Sequence, residues 1–328
     1  MRVLVLGAGG SFGVNCCQYF LDQNDVEFVY GVGRAPLRPS AFSLGIENND
    51  RYEYKALHIG FEYDLLFNYL NEIRPNVIIN YAAQGEGAVS WKNSWRYFDT
   101  NGTALVRLVE FLQDCDWLDR FIQIGTSEMY GSVIEPASEE SAIQPSSPYA
   151  ASKVAFDLYL KSISNSLGFR MNIIRPCNAY CPGQLLHRVI PRTLLFGLMG
   201  KKLELHGGGK AEKSYIHATD LSRAIYLVTH NGVLGEIYNV GAESPTSIKD
   251  VVATCSEVLG IPFDDLCEVA PERLGQDSRY WLDSSRINRD VGWVPEISLR
   301  DGIQDVKNWI ELNLEFLSRQ NPDYEFRG

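Results

Sequence analysis

The chain is short of positive charge, of paired cysteines and of long apolar runs, and each shortage removes a class of function. Against 41 Asp and Glu it carries 30 Lys and Arg, a formal net charge of −11. Affinity for nucleic acid comes largely from cations that neutralise phosphates, so a non-specific polyanion binder is not expected. A small phosphorylated substrate needs only a few local cations and stays open. The seven cysteines, Cys16, Cys17, Cys115, Cys177, Cys181, Cys255 and Cys267, are odd in number and scattered, with no Cys-x-x-Cys pair. Neither a disulfide framework nor a metal site is expected, and a reducing cytoplasm is the natural setting. No apolar run approaches the roughly 20 residues that cross a bilayer, and no charged-then-apolar leader opens the sequence, so a soluble protein is expected.

What is present is a regular alternation. With 328 residues and 45% hydrophobic content the chain exceeds one compact domain, and two lobes are expected. Apolar runs at 2–6, 26–32, 77–82, 121–125 and 171–174 read as strands, separated by segments of helical spacing that include 65–73, 103–113 and 149–167. Strands alternating with helices predict an α/β fold: a Rossmann-like, doubly wound parallel sheet covered on both faces. Beyond Arg175-Pro176 proline and glycine become frequent, which suits a smaller C-terminal lobe that closes over a ligand. The predicted division is a dinucleotide-binding part, 1–176 with a returning segment 221–243, and a substrate-binding lobe, 177–220 with 244–328.

The first strand runs into Gly7-Ala-Gly-Gly-Ser-Phe-Gly13. Glycines at 7, 10 and 13 permit a tight turn and let backbone N–H groups approach a pyrophosphate at a helix start, so Gly7, Gly10, Ser11, Phe12 and Gly13 are the expected cofactor loop. An ordinary strand-to-helix turn is the plainer alternative. NAD-binding proteins often place an acid after the second strand to hold the ribose hydroxyls. Here that strand ends Val32-Gly33-Arg34, with Arg38 nearby. An Arg without the acid favours a 2′-phosphate, so NADP is expected over NAD.

Thr126, Ser127 and Glu128 stand at the end of one strand, and Tyr149 and Lys153 are four apart on a helix, hence on one face. An ammonium beside a phenol favours the phenolate, and the spacing predicts a Tyr149 drawn down toward neutrality as a base. At these residues the chain resembles the extended short-chain dehydrogenase/reductase family, in particular its nucleotide-sugar epimerases and dehydratases. The resemblance includes Ala82-Ala83-Gln84, Thr100-Asn-Gly-Thr103, Thr126-Ser-Glu-Met-Tyr-Gly131, Arg175-Pro-Cys-Asn-Ala-Tyr-Cys-Pro-Gly-Gln184, Lys213-Ser-Tyr-Ile-His-Ala-Thr-Asp220, Arg273 to Tyr280 and Val291-Gly-Trp-Val-Pro295.

Family epimerases usually lack the acid at the Glu128 position. The 4,6-dehydratases carry Thr-Asp-Glu or, in the GDP-mannose type, Thr-Ser-Glu, and the present chain is similar to the latter. The resemblance implies a dehydratase that oxidises C4 of a nucleotide-linked hexose, removes the C5 proton and expels water. An epimerase or other 4-keto-sugar enzyme is the alternative, and a non-catalytic dinucleotide-binding protein a further one. It also implies that Ala82, Ala83, His58 and Ile59 contact the cofactor, that Gln84, Glu86, Asn178, Arg192, Lys213 and Arg279 face the substrate, and that the enzyme is a homodimer. Departures are Lys213 for the usual Arg, His58 for an adenine-reading Asp, Glu86 for a His and Cys181 for a Gly.

Overall fold

The computed structural model describes residues 1–271 and 278–323. Its centre is a seven-stranded parallel sheet. The strands are β1 (Arg2–Leu6), β2 (Phe28–Gly33), β3 (Tyr52–Ala56), β4 (Val77–Asn80), β5 (Arg120–Ile124), β6 (Met171–Pro176) and β7 (Ile237–Val240). They lie side by side in the order β7-β6-β5-β4-β1-β2-β3. The chain leaves β1 toward β2 and β3, then crosses back to β4 on the other side. In such sheets ligands bind at the strand ends where the order reverses, here between β1 and β4.

Both faces of the sheet are covered, which is why its central strands are continuously apolar: Val3, Leu4, Val5 and Leu6 are all fully buried. Alternate side chains feed two separate cores, Val3 and Val5 with Phe20 and Ile225 on one face, Leu4 and Leu6 with Leu105 and Phe156 on the other. A third apolar cluster, around Leu194, Val251, Ile303 and Trp309, joins the helices Val189–Leu198, Ile248–Leu259 and Leu299–Leu312 in the smaller lobe.

Local chemistry fixes the helix that carries Tyr149. The hydroxyl of Ser147 accepts from the Ala150 N–H at 3.1 Å, Pro148 takes the first turn where its missing N–H costs nothing, and Gly168 ends Pro148–Leu167 in the left-handed region. The strand β3 was not apparent in the sequence, because Tyr52-Glu-Tyr-Lys-Ala alternates apolar with charged residues at the sheet edge. Its Tyr52 and Tyr54 lie across Gly31 and Gly33 of β2, where a Cβ would fall 2.3 and 2.4 Å from their hydroxyls. The helical segment expected at 103–113 begins earlier, at Ser94, and passes through a π-turn at Asp99–Thr103 before Ala104–Leu112. Among the described residues no helix is long and apolar enough to cross a membrane, no His, Cys, Asp and Glu cluster could hold a metal ion, and the seven cysteines are all thiols.

Candidate active site

The glycine loop is built by close approach. Gly7, at φ +83°, donates to the Val32 carbonyl at 2.7 Å, and a Cβ on it would come within 2.7 Å of the Ala82 nitrogen. The loop is thereby pressed against the end of β4, which brings Ala82 and Ala83 beside it. A Cβ on Gly13 would meet the Gly7 carbonyl at 2.4 Å, so the helix Ser11–Leu21 can begin there only on glycine. Gly10 is its N-cap and no side chain caps it. A bare, close-approach helix start with Ser11 and Phe12 in its first turn is the cradle a dinucleotide pyrophosphate fits.

Beyond the glycine loop, Arg34 donates to Gln84 Oε1 at 3.3 Å, crossing from the end of β2 to the loop after β4. His58 is turned inward: its Nδ1 accepts from the Gly60 and Phe61 N–H groups at 3.1 and 3.2 Å, and its ring stacks on Phe61. Burial, then the Arg34 charge, hold its pKa below the ordinary imidazole range. Ile59 is buried.

The end of the strand β5 carries the candidate catalytic groups Thr126, Ser127 and Glu128. Thr126 is extended, and its hydroxyl accepts from the Glu128 N–H at 3.2 Å, capping the short turn Ser127–Tyr130. Thr126, not the Glu128 carboxylate, therefore caps that turn. The same Thr126 hydroxyl hydrogen-bonds Tyr149. Glu128 lies against Gly87, where a Cβ would fall 2.9 Å from Oε2, and Ser127 is buried behind it. Ser90 ties this region to the helix start: it accepts from the Tyr149 N–H at 3.2 Å and donates to the Gly87 carbonyl at 2.7 Å.

The expected easy ionisation of Tyr149 is not what the structure holds. Desolvation, then the Glu128 charge, push the phenol well above its ordinary range. The Lys153 ammonium shares the helix face but donates to the Ile124 carbonyl at 2.6 Å. Burial pulls its pKa down to about 8, opposed by the charge of Asp157. Asp157 in turn holds Arg175 in a buried pair at 3.2 Å, and Arg175 donates to the Tyr130 hydroxyl at 2.8 Å.

On the substrate side, Gln84 is buried and its backbone is clamped from both directions: its N–H donates to Asn101 Oδ1 at 2.7 Å, and Asn101 Nδ2 donates to its carbonyl at 3.0 Å and to Ser152 Oγ at 2.9 Å. Glu86 adopts φ +73°, a costly conformation for a non-glycine residue. Its Oε1 lies 3.1 Å from His187 Nε2 and also accepts from Arg188. Burial alone would raise the Glu86 carboxyl, but His187 and Arg188 outweigh it and hold it low. Glu86 and Arg188 both act electrostatically on Tyr149, and Tyr97 links Glu86 to Tyr149, donating to the Glu86 carbonyl at 3.3 Å with its ring centroid 6.4 Å from that of Tyr149.

Lys213 and Arg279 are on neighbouring strands, Glu212–Lys213 and Arg279–Tyr280, and Arg279 pairs with Glu212 at 2.9 Å. Asn178 opens the strand Asn178–Tyr180 beside Tyr215–His217. Arg192 is drawn elsewhere: its guanidinium pairs with Asp323 at 3.0 Å and donates to the Pro322 carbonyl. Of the stretch Arg273 to Tyr280, residues 273–277 lie outside the described residues. Sequence reasoning missed Asn101, Tyr97, His187 and Arg188. Asn101 lay inside the Thr100-Asn-Gly-Thr103 motif, and a consecutive histidine and arginine directly before a helix and after a Pro-Gly turn were a readable signal for His187-Arg188.

Known proteins of this shape are numerous. The dTDP-glucose 4,6-dehydratase of Escherichia coli is 28% identical over 97% of this chain and 96% of its own length. The dTDP-glucose 4,6-dehydratase of Streptomyces venezuelae, solved with NAD bound, superposes with a TM-score of 0.88 at 27% identity, covering 96% of this chain and 98% of that one. The UDP-glucose 4-epimerase of Thermotoga maritima, at 23% identity and a TM-score of 0.86 over 96% of this chain and all of its own, shares the fold. The profile of the NAD dependent epimerase/dehydratase family matches residues 3–241, and the chain belongs to that family.

Proposed function

We propose that the protein is a nucleotide-hexose 4,6-dehydratase that takes dTDP-glucose to its 4-keto-6-deoxy product. The observation that carries this reading is the Glu128 carboxylate set against Gly87 within electrostatic reach of Tyr149, with the turn beneath it already capped by Thr126. A 4-epimerase has no use for a carboxylate there, whereas a dehydratase needs a base for the C5 hydrogen.

The residues divide the work as follows. Tyr149 takes the proton of the C4 hydroxyl while Thr126 hydrogen-bonds the same oxygen. A nicotinamide dinucleotide held by the Gly7–Gly13 loop supplies the acceptor and donor of hydride, and its positive charge favours the phenolate. Oxidation at C4 acidifies the C5 hydrogen, and Glu128 removes it as general base. Ser127 orients the neighbouring oxygen, and Lys213 and Arg279 are the cations for the diphosphate, with Arg the better bidentate partner.

The finer cofactor reading remains NADP, resting on Arg34 and the missing acid after β2, although related structures hold NAD. The lobe division given from the sequence, a cytoplasmic setting and a homodimer belong to the same reading. The experiment is incubation of the purified protein with dTDP-glucose in deuterated water, with NAD and NADP titrated in parallel by fluorescence. The expected product is lighter by one water before label is counted and carries deuterium at C5, with NADP binding the tighter. Glu128→Gln should oxidise C4 yet lose C5 exchange and at least ~100-fold of turnover. Unaltered turnover in that variant, or an isomeric product of unchanged mass, would remove the dehydratase assignment.

A further inference from the structure

Water loss needs a proton for the departing C6 oxygen, and Ser127 is a poor source, because an effective general acid titrates near the working pH and an alcohol does not. The other groups around Tyr149 are already committed: Glu128 must arrive as a base, and Lys153 is turned to the Ile124 carbonyl. The structure puts one more acid–base pair at this place. His187 Nε2 meets Glu86 Oε1 at 3.1 Å, with the imidazole 13% exposed and the carboxylate 20%. Glu86 is the residue before Gly87, where a Cβ would fall 2.9 Å from Glu128 Oε2. The pair thus adjoins, through Gly87, the backbone that the C5 base lies against, and the charges of Glu86 and its partner Arg188 both reach Tyr149. Glu86 is held there at positive φ with its carbonyl fixed by Tyr97 and its carboxylate by Arg188 as well, and strain of this kind persists where the surroundings over-determine it.

We propose that His187, oriented by Glu86, is the general acid that protonates the C6 hydroxyl as it leaves, with Glu86 a positioning residue. It deepens the dehydratase reading and rests on it. The balance closes within one turnover. The C5–H pair becomes the C5=C6 bond as Glu128 gains the proton, the C6–O bond breaks, and the oxygen takes a proton from the His187 imidazolium to leave as water. Hydride returned to C6 and the Glu128 proton returned to C5 complete the product. The proton that Tyr149 took from the C4 hydroxyl is the equivalent that recharges His187.

The test compares dTDP-glucose with its 6-deoxy-6-fluoro analogue, because fluoride departs without a proton and rescues an enzyme that lacks only its acid. His187→Asn is expected to form product from dTDP-glucose about 100-fold more slowly. It should return unreacted substrate labelled at C5 from deuterated water, and release fluoride at the rate of the unaltered enzyme. Glu86→Gln, the second variant, should give the same pattern at a loss of about 10-fold, its fluoride rate also intact. Full speed of His187→Asn on dTDP-glucose would overturn the proposal. So would an equal loss on both substrates, which marks a packing or binding role. If the unaltered enzyme forms no 4-keto-6-deoxy sugar, the dehydratase reading itself fails and takes this one with it.

Discussion

Lys153 is a buried amine at a cost the fold carries for function. Its pKa of about 8 lies well below the ordinary 10.5, so the folded protein releases that proton before the unfolded chain does. Below about pH 8 both states are charged and the full penalty, about 3 kcal/mol, weighs on the fold. Between pH 8 and 10.5 the unfolded chain binds more protons, stability rises with pH, and above 10.5 the penalty is gone. Lys153→Met removes the charge but also one of two donors to the Ile124 carbonyl, the Gln123 amide remaining, a loss of about 1 kcal/mol. The variant should therefore be more stable than the unaltered protein at pH 7 by about 2 kcal/mol, less stable at pH 10.5, and inactive at both. Urea melts at the two pH values check the crossing; a variant less stable at pH 7 would contradict it. Tyr149 and Lys153 were singled out in the sequence by their four-residue spacing and place in the chain, and Glu128 by the resemblance to dehydratases. The direction of the Lys153 side chain was not, because four methylenes let one face of a helix reach several partners.

Secondary structure shows the same division between what local pattern declares and what only packing reveals. β1, β4 and β5 were readable because strands buried on both faces are continuously apolar. β3 was not, since its pattern matches a polar edge, and its register depends on Tyr52 and Tyr54 finding the space left by Gly31 and Gly33 in a different strand. The π-turn at Asp99–Thr103 was equally hidden. The widened turn sets Asn101 where its amide serves both the N–H and the carbonyl of Gln84, two buried groups with few other options. Asn101→Ala is expected to cost on the order of 3 kcal/mol, from desolvated groups left unpaired. Because Gln84 leads directly to Glu86 and Gly87, kcat should fall by about tenfold or more while the melt remains cooperative, as an error of about 1 Å in such a loop is enough to misplace a catalytic group. A variant with unchanged kcat would show that the clamp serves stability alone.

For the molecule as a whole, the outer face of the Tyr149 helix and its neighbour, the segments 149–167 and 103–113, is the surface that a homodimer would use. Phe98, Gly102, Thr103, Val106 and Arg107 on one helix and Ala155 and Phe156 on the next line a shallow, mostly apolar hollow, with Phe98 43% exposed, and Leu158, three residues on from Ala155 along the same helix, is 55% exposed. Isolated exposed apolar residues are ordinary, but a contiguous strip across two adjacent helices is the kind of surface a second subunit covers. A two-fold axis there would pack each pair of helices against its copy, an isologous arrangement in which the same strip meets itself. The consequence reaches the chemistry, because Leu158 follows Lys153 by little more than a turn of the same helix, and the π-turn that places Asn101 is part of the neighbouring one. Leu158→Glu puts a charge opposite its own copy, so repulsion and desolvation oppose pairing, while in a lone chain the residue stays in water and the fold is unaffected. Sedimentation should therefore give twice the chain mass of 36.9 kDa for the unaltered protein and the single mass for the variant. A lower kcat with unchanged circular dichroism is expected in the monomer, since the helix that presents Tyr149 loses half of its outer support. An unaltered protein that sediments as a monomer would leave this strip without its partner, and the coupling between assembly and catalysis would fall with it.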